Sequence, residues 1–288
     1  MQRSTKRWII RHVFSSTVAK PQNLHDLSRL PNSATALLGF ATSYAVPVTF
    51  DQSRFDLRCE WGLQGLQALG PESDVIIIVD VLVFSTSVDI ALAAGASVFP
   101  YRWRDQSAQE FAEGHHALLA SPRSRKGGYS LSPASLQSIP AGTALVLPSP
   151  NGSTLCLHAG HKPTFTACLR NCCAVASKAV EHGTSIAVIP AGEQWPDGSL
   201  RPAVEDFIGA GAVLAALSGR PSPEARAAIA AFEQALPHLQ ETLSQSASGQ
   251  ELITRGYPGD VEIAARYAVS SVAPFYSKDR FVPHPSAL

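Results

Sequence analysis

Short apolar runs alternate along this chain with segments of helical length that are rich in small residues. The clearest run, at 75–79, reads VIIIV and is typical of a strand buried on both faces of a sheet. The alternation predicts an α/β fold, with three α/β/α layers around a mixed, largely parallel sheet. The predicted strands are 75–79, 97–101, 117–120, 144–147, 164–167 and 185–190, and the predicted helices are 60–69, 85–94, 106–113, 202–217 and two that end near 159 and at 179.

The strand-and-helix pattern starts again near residue 164, which predicts two related halves at about 49–163 and 164–288. After Pro223 only helical patterns are evident, and Asp260 is placed to cap the last of them. The helices predicted in this part are 224–235, 238–246, 250–255 and 259–268.

The first 48 residues differ in charge from the rest of the chain. They hold six basic side chains against the single acidic residue Asp26. A basic, Ser/Thr-rich and acid-poor segment has the composition of an organelle transit peptide. A disordered extension, or a start codon assigned too early, gives the same composition. We expect residues 1–48 to be a disordered basic extension that the core does not need.

The bulk composition narrows the class of protein. With 45% hydrophobic and 16% charged residues, and no apolar stretch of the roughly 18 residues that a membrane span needs, the chain is expected to be globular and free of the membrane. A formal net charge of zero argues against a general nucleic-acid binder. The five cysteines form no C-x-x-C pair, so we expect buried thiols in a reducing, cytoplasmic compartment and not a zinc site.

The first candidate site lies at the end of the 75–79 strand. Asp80 follows the strand directly, and Ser85 and Thr86 open the next helix. A strand's carboxyl end is exposed at the sheet edge, and a helix start offers unpaired N–H groups to an anion. The sequence therefore predicts phosphate chemistry assisted by a hard metal ion, with Asp80 as ligand and the two hydroxyls on phosphate oxygens.

Two further segments follow strands in the same way. The segment Asn151-Gly152-Ser153-Thr154 is either a turn with a helix cap or a cradle for an anion. The adjacent acids Glu205 and Asp206 are either favourable charges in the first turn of a helix or ligands for Mg²⁺. Glu193, in the loop before them, could join the same metal site.

Two arginines are candidates for binding phosphate or carboxylate. Arg170 and Arg201 come just after predicted strands and could form two-pronged contacts, although surface solvation is the alternative for each. The motifs of other phosphate enzymes are absent: there is no Walker loop, no D-x-D at Asp80 and no cysteine-based phosphatase loop.

Together these segments resemble the 2-phosphosulfolactate phosphatase family, Mg²⁺-dependent enzymes linked to coenzyme M biosynthesis. The likeness spans about residues 50–282. It rests on five segments taken in order, namely Asp80-Val81-Leu82-x-x-Ser85-Thr86, Asn151-Gly152-Ser153-Thr154, Leu169-Arg170-Asn171, Glu205-Asp206 after the loop at 191–192, and Gly209-Ala210-Gly211. The resemblance implies a layered fold, metal binding by acids and hydrolysis of a phosphomonoester.

The expected roles follow from both arguments. We expect catalysis from Asp80, Arg170, Arg201 and Glu205, and a metal site for Mg²⁺ at Asp80, Glu205 and Asp206. The expected phosphate or substrate contacts are Ser85, Thr86, Asn151, Gly152, Ser153, Thr154 and Asn171. The partner is expected to be a small phosphorylated acid, and a homodimer is possible.

The chain also departs from the family pattern. The family's first motif typically reads D-V-L-R-A-S-T-T, and here Val83 and Phe84 replace the Arg-Ala pair. Where the family has G-F-D-L-G-N-S-P, Ser130 occupies the acidic position. Arg123, Arg125 or Lys126 from the neighbouring loop could supply the lost positive charge. The alternative function is a non-catalytic anion-binding or regulatory protein on the same fold.

Overall fold

The computed structural model describes residues 50–125 and 127–285. The expected basic extension at 1–48, and Lys126, lie outside these residues. The strands are Leu57–Cys59 (β1), Val75–Val79 (β2), Ser97–Tyr101 (β3), Leu118–Leu119 (β4), Ala144–Pro148 (β5), Thr164–Ala167 (β6), Ile186–Pro190 (β7), Glu193–Gln194 (β8), Leu200–Arg201 (β9), Pro274–Ser277 (β10) and Arg280–Pro283 (β11).

The helices include all those that the sequence predicted, with bounds that differ by a few residues, and the short α4, which it did not predict. They are Gly62–Leu69 (α1), Phe84–Ala93 (α2), Gln106–Gly114 (α3), Pro133–Leu136 (α4), Gly152–His158 (α5), Cys172–Ala179 (α6), Val204–Ala215 (α7), Pro223–Ala235 (α8), Leu239–Gln245 (α9), Ala247–Thr254 (α10) and Pro258–Ala264 (α11). None of the helices in the described part of the chain is long and apolar enough to cross a membrane.

Nine of the strands form one mixed sheet. Its order is β1-β7-β2-β6-β10-β11-β3-β5-β4. One block, β1-β7-β2-β6, is parallel throughout, and so is the other, β3-β5-β4. Between them lies the antiparallel hairpin of β10 and β11, which pairs antiparallel with β6 and β3. The hairpin therefore joins two parallel blocks that run in opposite directions.

The central strand β2 shows why the fold has three layers. All five of its residues are buried, and its neighbours β6 and β7 both run parallel to it. Val75, Ile77 and Val79 point to a core that includes residues of α6, α7 and α8. Ile76 and Ile78 point to the opposite core, which includes residues of α1, α2 and α5. Helices thus cover both faces, which confirms the predicted α/β/α arrangement.

The expectation that only helices follow Pro223 is wrong. Four helices are present, but the chain then forms the β10–β11 hairpin. Each strand has only four residues, too few to show a clear alternation, and their pairing is set by contacts distant in sequence, such as Phe275 beside Phe165. Asp260 is also not a cap, since Tyr257 occupies that position and Asp260 accepts a hydrogen bond from the hydroxyl of Ser132 (2.5 Å).

The division at about residue 163 stays a prediction. In the sheet, strands from the two sides of that position alternate: β2 lies between β6 and β7, and β11 pairs with β3.

Four of the five cysteines are buried and Cys173 is exposed, all as free thiols.

Helix α7 approaches its neighbours at glycines. A Cβ on Gly209 would lie 2.5 Å from Val81 Cγ2, and a Cβ on Gly211 would lie 2.0 Å from the carbonyl oxygen of Ala228 in α8. The backbone of α7 therefore packs against β2 and α8 at distances that no larger residue permits. This close approach sets the position of Glu205 and Asp206 in the first turn of the same helix.

We predict that Gly211→Ala destabilises the fold by about 1–3 kcal/mol, the usual cost of overpacking a rigid interface. Urea denaturation measures the change in the free energy of unfolding. The matched control is Gly114→Ala at the end of α3, where an added Cβ meets nothing within 4 Å. Equal stability of the two variants would contradict the packing argument.

Candidate active site

Asp80 is held between the starts of two helices. Its Oδ1 accepts a hydrogen bond from the backbone N–H of Phe84, the first residue of α2, at 3.0 Å. Its Oδ2 accepts one from the N–H of Gly152, the first residue of α5, also at 3.0 Å. A Cβ on Gly152 would lie 2.8 Å from Asp80 Oδ2 and 2.5 Å from Phe84 Cδ1, so this contact requires glycine.

The hydrogen bond between Gly152 and Asp80 also indicates how the sheet is shaped. Five strand steps separate β2 from β5 in the sheet order, a lateral distance of roughly 24 Å in a flat sheet, and the two strands run in opposite directions, so their carboxyl ends would also lie at opposite edges of a flat sheet. The two loops that follow these strands nevertheless meet in a hydrogen bond. The sheet must therefore twist and bend strongly, so that the carboxyl ends of the two parallel blocks converge.

The hydroxyls beside Asp80 are occupied inside the protein. Ser85 Oγ accepts the N–H of Asp80 (2.9 Å) and lies 2.6 Å from Thr166 Oγ1, while Thr86 donates to the carbonyl oxygen of Val81 (2.8 Å). Both side chains are fully buried. These hydroxyls fix the loop that carries Asp80. Neither hydroxyl oxygen faces the solvent, and their contact with phosphate stays a prediction.

In the 151–154 segment, some side chains also make hydrogen bonds inside the fold, while others reach the acids of the site. Ser153 donates to the carbonyl oxygen of Leu147 and Thr154 to that of Pro150, so both hydroxyls brace the turn. Asn151 instead donates its side-chain N–H to Glu193 Oε2 at 2.8 Å. Of the four predicted residues, Asn151 reaches the acid cluster with its side chain and Gly152 reaches Asp80 with its backbone.

Asp206 connects two loops at the carboxyl end of the sheet. Its Oδ1 accepts the N–H of Val81 (2.7 Å), next to Asp80, and its Oδ2 accepts the N–H of Gly192 (2.9 Å), next to Glu193. The side chain is buried, as is that of Glu205. Asp206 thus holds the loops after β2 and β7 together, a positioning role in addition to any contact with a metal.

Four carboxylates converge here: Asp80, Glu193, Glu205 and Asp206. Burial raises the pKa of Asp80 to about 6, with Glu205 adding to the rise while hydrogen bonds from Phe84 and Gly152 and the charge of Arg123 oppose it. Burial and the charge of Asp80 raise the pKa of Glu193 to about 7. Burial, Asp80 and Glu205 raise the pKa of Asp206 well above its ordinary value. Besides burial, the charges of Asp80, Glu193 and Glu205 therefore make the ionised forms of neighbouring acids less favourable.

Such a cluster fits a divalent cation by its chemistry. Its donors are all carboxylate oxygens, which Mg²⁺ prefers. Among the described residues no three acids, histidines or cysteines are already arranged around one metal position. Mg²⁺ commonly keeps several waters and takes only one or two protein carboxylates, so two suitably placed acids are enough.

Arg170 and Asn171 lie away from these acids. Arg170 Nε donates to the buried Asp89 at 2.8 Å, and another nitrogen of Arg170 approaches the carbonyl oxygen of Ile263 at 3.4 Å. Asn171 accepts the N–H of Cys168 and is fully buried. Both residues make hydrogen bonds within the fold. Their catalytic and substrate roles stay predictions.

Arg201 lies nearer to the acids. It donates to Ser248 Oγ at 3.2 Å and lies over the ring of Trp195 at 5.9 Å. Its charge lowers the pKa of Glu193, although burial and Asp80 raise that pKa by more. Arg201 therefore belongs to the electrostatic surroundings of the site.

A cavity of about 220 Å³ opens at Asp80. Its polar wall includes Asp80, Asn151, Glu193, Arg123 and Arg255, together with Glu251, which lies 2.8 Å from Arg255. Apolar wall is supplied by Leu82, Val83, Leu131 and Leu252. Glu205, Asp206, Arg170, Arg201, Ser85 and Thr86 do not line it.

Arg255 was not among the residues that the sequence analysis considered. It was missed because nothing in the local sequence at the end of α10 distinguishes it from a solvated arginine, whereas Glu193 was considered as an additional ligand of the metal site. Arg123 is held by the carbonyl oxygen of Leu131 and lies 3.7 Å from Asp260. Arg123 and Arg255 thus bring positive charge to the cavity from outside the segments that carry the resemblance.

We predict that metal-free protein loses stability as the pH rises from about 4.5 to 7 and that Glu193 contributes to the loss. The folded chain raises the pKa of Glu193 to about 7 from its ordinary 4.5. Between these values the folded state holds a proton that the unfolded state has released, so stability falls as the pH rises and the loss is complete above the folded pKa.

Glu193→Gln keeps the acceptor for Asn151 but carries no charge, so its stability should fall less over this range. Melting temperatures in EDTA at pH 4.5 and 8 measure the difference. The control is Glu233→Gln on the exposed face of α8. A variant that follows the wild-type pH dependence would show that Glu193 does not titrate in this range.

Comparison with known proteins identifies the group to which this architecture belongs. The family described as 2-phosphosulpholactate phosphatase matches residues 66–279. A 2-phosphosulfolactate phosphatase of Methanothermobacter thermautotrophicus is 28% identical over 214 residues, which cover 72% of this chain and 89% of the relative. A probable 2-phosphosulfolactate phosphatase of Thermus thermophilus is 31% identical over 214 residues, 70% of this chain and 87% of the relative. A similarly named protein of Carboxydothermus hydrogenoformans is 29% identical over 211 residues.

Proposed function

Because the chain belongs to the 2-phosphosulpholactate phosphatase family, we propose that it hydrolyses the phosphomonoester of a small organic acid. The observation that carries the proposal is the cavity at Asp80. There a carboxylate oriented by two backbone N–H groups shares one small space with Arg123 and Arg255. Phosphoryl transfer depends mainly on positioning and on stabilising negative charge, and this wall offers both.

We propose Mg²⁺ as the cofactor, held by Asp80 and Glu193. These are the two acids of the cluster that line the cavity. A bound cation there would neutralise phosphoryl charge and orient the reactants. Glu205 and Asp206 lie behind the wall, where their charges strengthen the attraction for a cation and Asp206 fixes both ligand-bearing loops.

The arginines have the complementary task. Arg123 and Arg255 are placed to contact phosphoryl or carboxylate oxygens of the substrate, in the region where Val83 supplies no charge. Arginine is suited to this because its planar fork binds such groups through two parallel hydrogen bonds. The family match does not favour the non-catalytic alternative. The cytoplasmic location, a homodimer, the exclusion of nucleic acid and a link to coenzyme M biosynthesis stay predictions.

The direct test is turnover. The purified chain is assayed with a panel of phosphorylated small acids, with Mg²⁺ and with EDTA. We expect phosphate release from at least one compound and its loss in EDTA. A full panel without turnover would refute the proposed activity, and turnover that EDTA leaves intact would refute the metal.

We predict that Asp80→Asn lowers turnover by at least ~100-fold, the scale of losing one charged contact in the transition state. The amide can still accept one of the two backbone hydrogen bonds and leaves the other N–H without an acceptor, so the variant should stay folded but lose about 1–3 kcal/mol of stability. Initial rates at saturating Mg²⁺ and a thermal melt measure the two effects. The control is Asp279→Asn in the β10–β11 turn, whose positive φ of 68° asparagine tolerates. Unchanged turnover in Asp80→Asn would remove Asp80 from the mechanism.

We predict that Glu205→Gln and Asp206→Asn fail in different ways. Asp206 accepts two backbone hydrogen bonds through its two oxygens, and an amide would leave one buried N–H without an acceptor. This should cost about 1–3 kcal/mol of stability. Glu205→Gln should keep the fold but require more Mg²⁺ for half-maximal activity, since it removes a charge next to Asp80. Stability and Mg²⁺ titrations separate the two. A stable Asp206→Asn would contradict its positioning role.

A further inference from the structure

Asp260 is a buried acid that joins separate segments next to the cavity. It lies in the first turn of α11, and only 1% of its surface is exposed. Its Oδ1 accepts hydrogen bonds from the hydroxyl of Ser132 (2.5 Å) and from the N–H of Ala134 (3.4 Å), at the start of α4. Its Oδ2 lies 3.7 Å from a terminal nitrogen of Arg123, which lines the cavity. One oxygen therefore serves the fold, and the other faces a residue of the candidate site.

The Oδ2 oxygen of Asp260 depends on Arg123. Within residues 50–125 and 127–285 this oxygen is buried and accepts no hydrogen bond. A buried carboxylate oxygen without a donor is costly unless a positive charge lies close to it. Burial raises the pKa of Asp260, and the hydrogen bond from Ser132 and the charge of Arg123 oppose that rise. The guanidinium of Arg123 therefore compensates the exposed edge of this carboxylate.

Arg123 is fixed along one edge of its guanidinium. Its Nε donates to the carbonyl oxygen of Leu131 at 3.0 Å, and its Nη2 donates to the same oxygen while it faces Asp260. The guanidinium also lies over the ring of Tyr257, with 5.2 Å between its central carbon and the ring centroid. Among the described residues Nη1 has no acceptor, so it is the nitrogen that remains available to an oxyanion in the cavity.

A carbonyl oxygen and an aromatic ring do not supply the negative charge that a buried cation needs. Only 15% of the Arg123 side chain is exposed, and burial lowers the pKa of its guanidinium. The charge of Asp260 is the largest effect that opposes this lowering. Without it, a long arginine side chain could recover its hydration by turning its charged end toward the solvent. Asp260 thus offsets the desolvation of Arg123 at the cavity wall.

We infer that Asp260 is a positioning residue, which holds Arg123 at the cavity wall so that its guanidinium can contact an oxyanion of the substrate. This role rests on the proposed phosphatase function and adds to it the group that orders one of its cations. Ordering before binding reduces the entropy that a contact costs. An acid near an anion site ordinarily weakens anion binding by repulsion. Asp260 should instead strengthen it, because it acts through Arg123.

The first measurement asks whether Asp260 holds Arg123, and it needs no ligand. Phenylglyoxal modifies accessible arginines, and mass spectrometry of peptides gives the rate at Arg123. Asp260→Asn keeps an oxygen for Ser132 but removes the charge that faces Arg123. The rate should therefore rise at least ~3-fold, near the lower end of couplings between residues in contact. The control Glu262→Gln removes an exposed charge from the same helix and should leave the rate unchanged. The exposed Arg226 is the internal reference.

The second measurement is a double-mutant cycle on the binding of inorganic phosphate, the product of any phosphomonoester, by calorimetry in Mg²⁺ buffer. Arg123→Gln should weaken binding at least ~10-fold, the lower end for a hydrogen bond to a charged group. Asp260→Asn should weaken it at least ~3-fold, although this change makes the surroundings of the cavity more positive. In the Arg123→Gln background Asp260→Asn should weaken binding no further, since a positioning residue acts only through the group that it holds.

Thermal melts check that each variant is folded, and Asp260→Ser replaces Asp260→Asn if the latter is unfolded. An unchanged modification rate at Arg123, or tighter phosphate binding by Asp260→Asn, overturns the inference. So does an equal loss of phosphate binding with and without Arg123, which would show a role in the fold alone, and so does a wild-type chain that binds no phosphate. A wild-type chain that releases no phosphate from any compound would refute the proposed function separately, because the modification rates report on Arg123 alone.

Discussion

The hydrogen bonds that hold Asp80 between Phe84 and Gly152 are the constraint on which the rest of the site depends. They connect the loop after β2 to the loop after β5, which come from opposite parallel blocks of the sheet. The β10–β11 hairpin between the blocks reverses the strand direction, so the two carboxyl ends can meet only if the sheet twists and bends strongly. The absence of a side chain at Gly152 follows from the same contact. The bend of the sheet and the position of the Asp80 carboxylate therefore depend on the same hydrogen bonds.

The carboxylate cluster has an electrostatic cost that explains much of its surroundings. Buried acids in a low-dielectric region raise one another's pKa, as they do at Asp80, Glu193 and Asp206. Backbone N–H groups offset part of that cost at Asp80 and Asp206, and Asn151 does so at Glu193. The remaining repulsion is what a divalent cation would relieve. If the proposed Mg²⁺ binds here, stability and metal affinity are coupled, since the arrangement that strains the metal-free protein would also attract the metal.

The sequence predicted the parts of this structure that local pattern determines. The VIIIV run had to be a buried strand, and Asp80 at its end had to face the carboxyl edge of the sheet. The hairpin at 274–283 escaped prediction because its register is set by Phe165 and Val98, far away in the chain. The same limit applies to the arginines. Position after a strand pointed to Arg170, which pairs with Asp89. Arg123 was only one of three candidates in its loop, and Arg255, just after α10, reaches the cavity through a docking that no local pattern reveals.

The hydroxyls of the sequence motifs were predicted to contact phosphate, but in the structure they make hydrogen bonds within the fold. Ser85, Thr86, Ser153 and Thr154 all bond to groups of the fold, and so they fix the loops that carry Asp80 and Asn151. A motif that suggests phosphate contacts can therefore act one step behind the substrate, by holding the groups that make the contact. Substrate choice then falls to residues outside the motifs. Under the proposed function these include Arg123 and Arg255, which line the cavity together with Val83, where the family pattern has arginine.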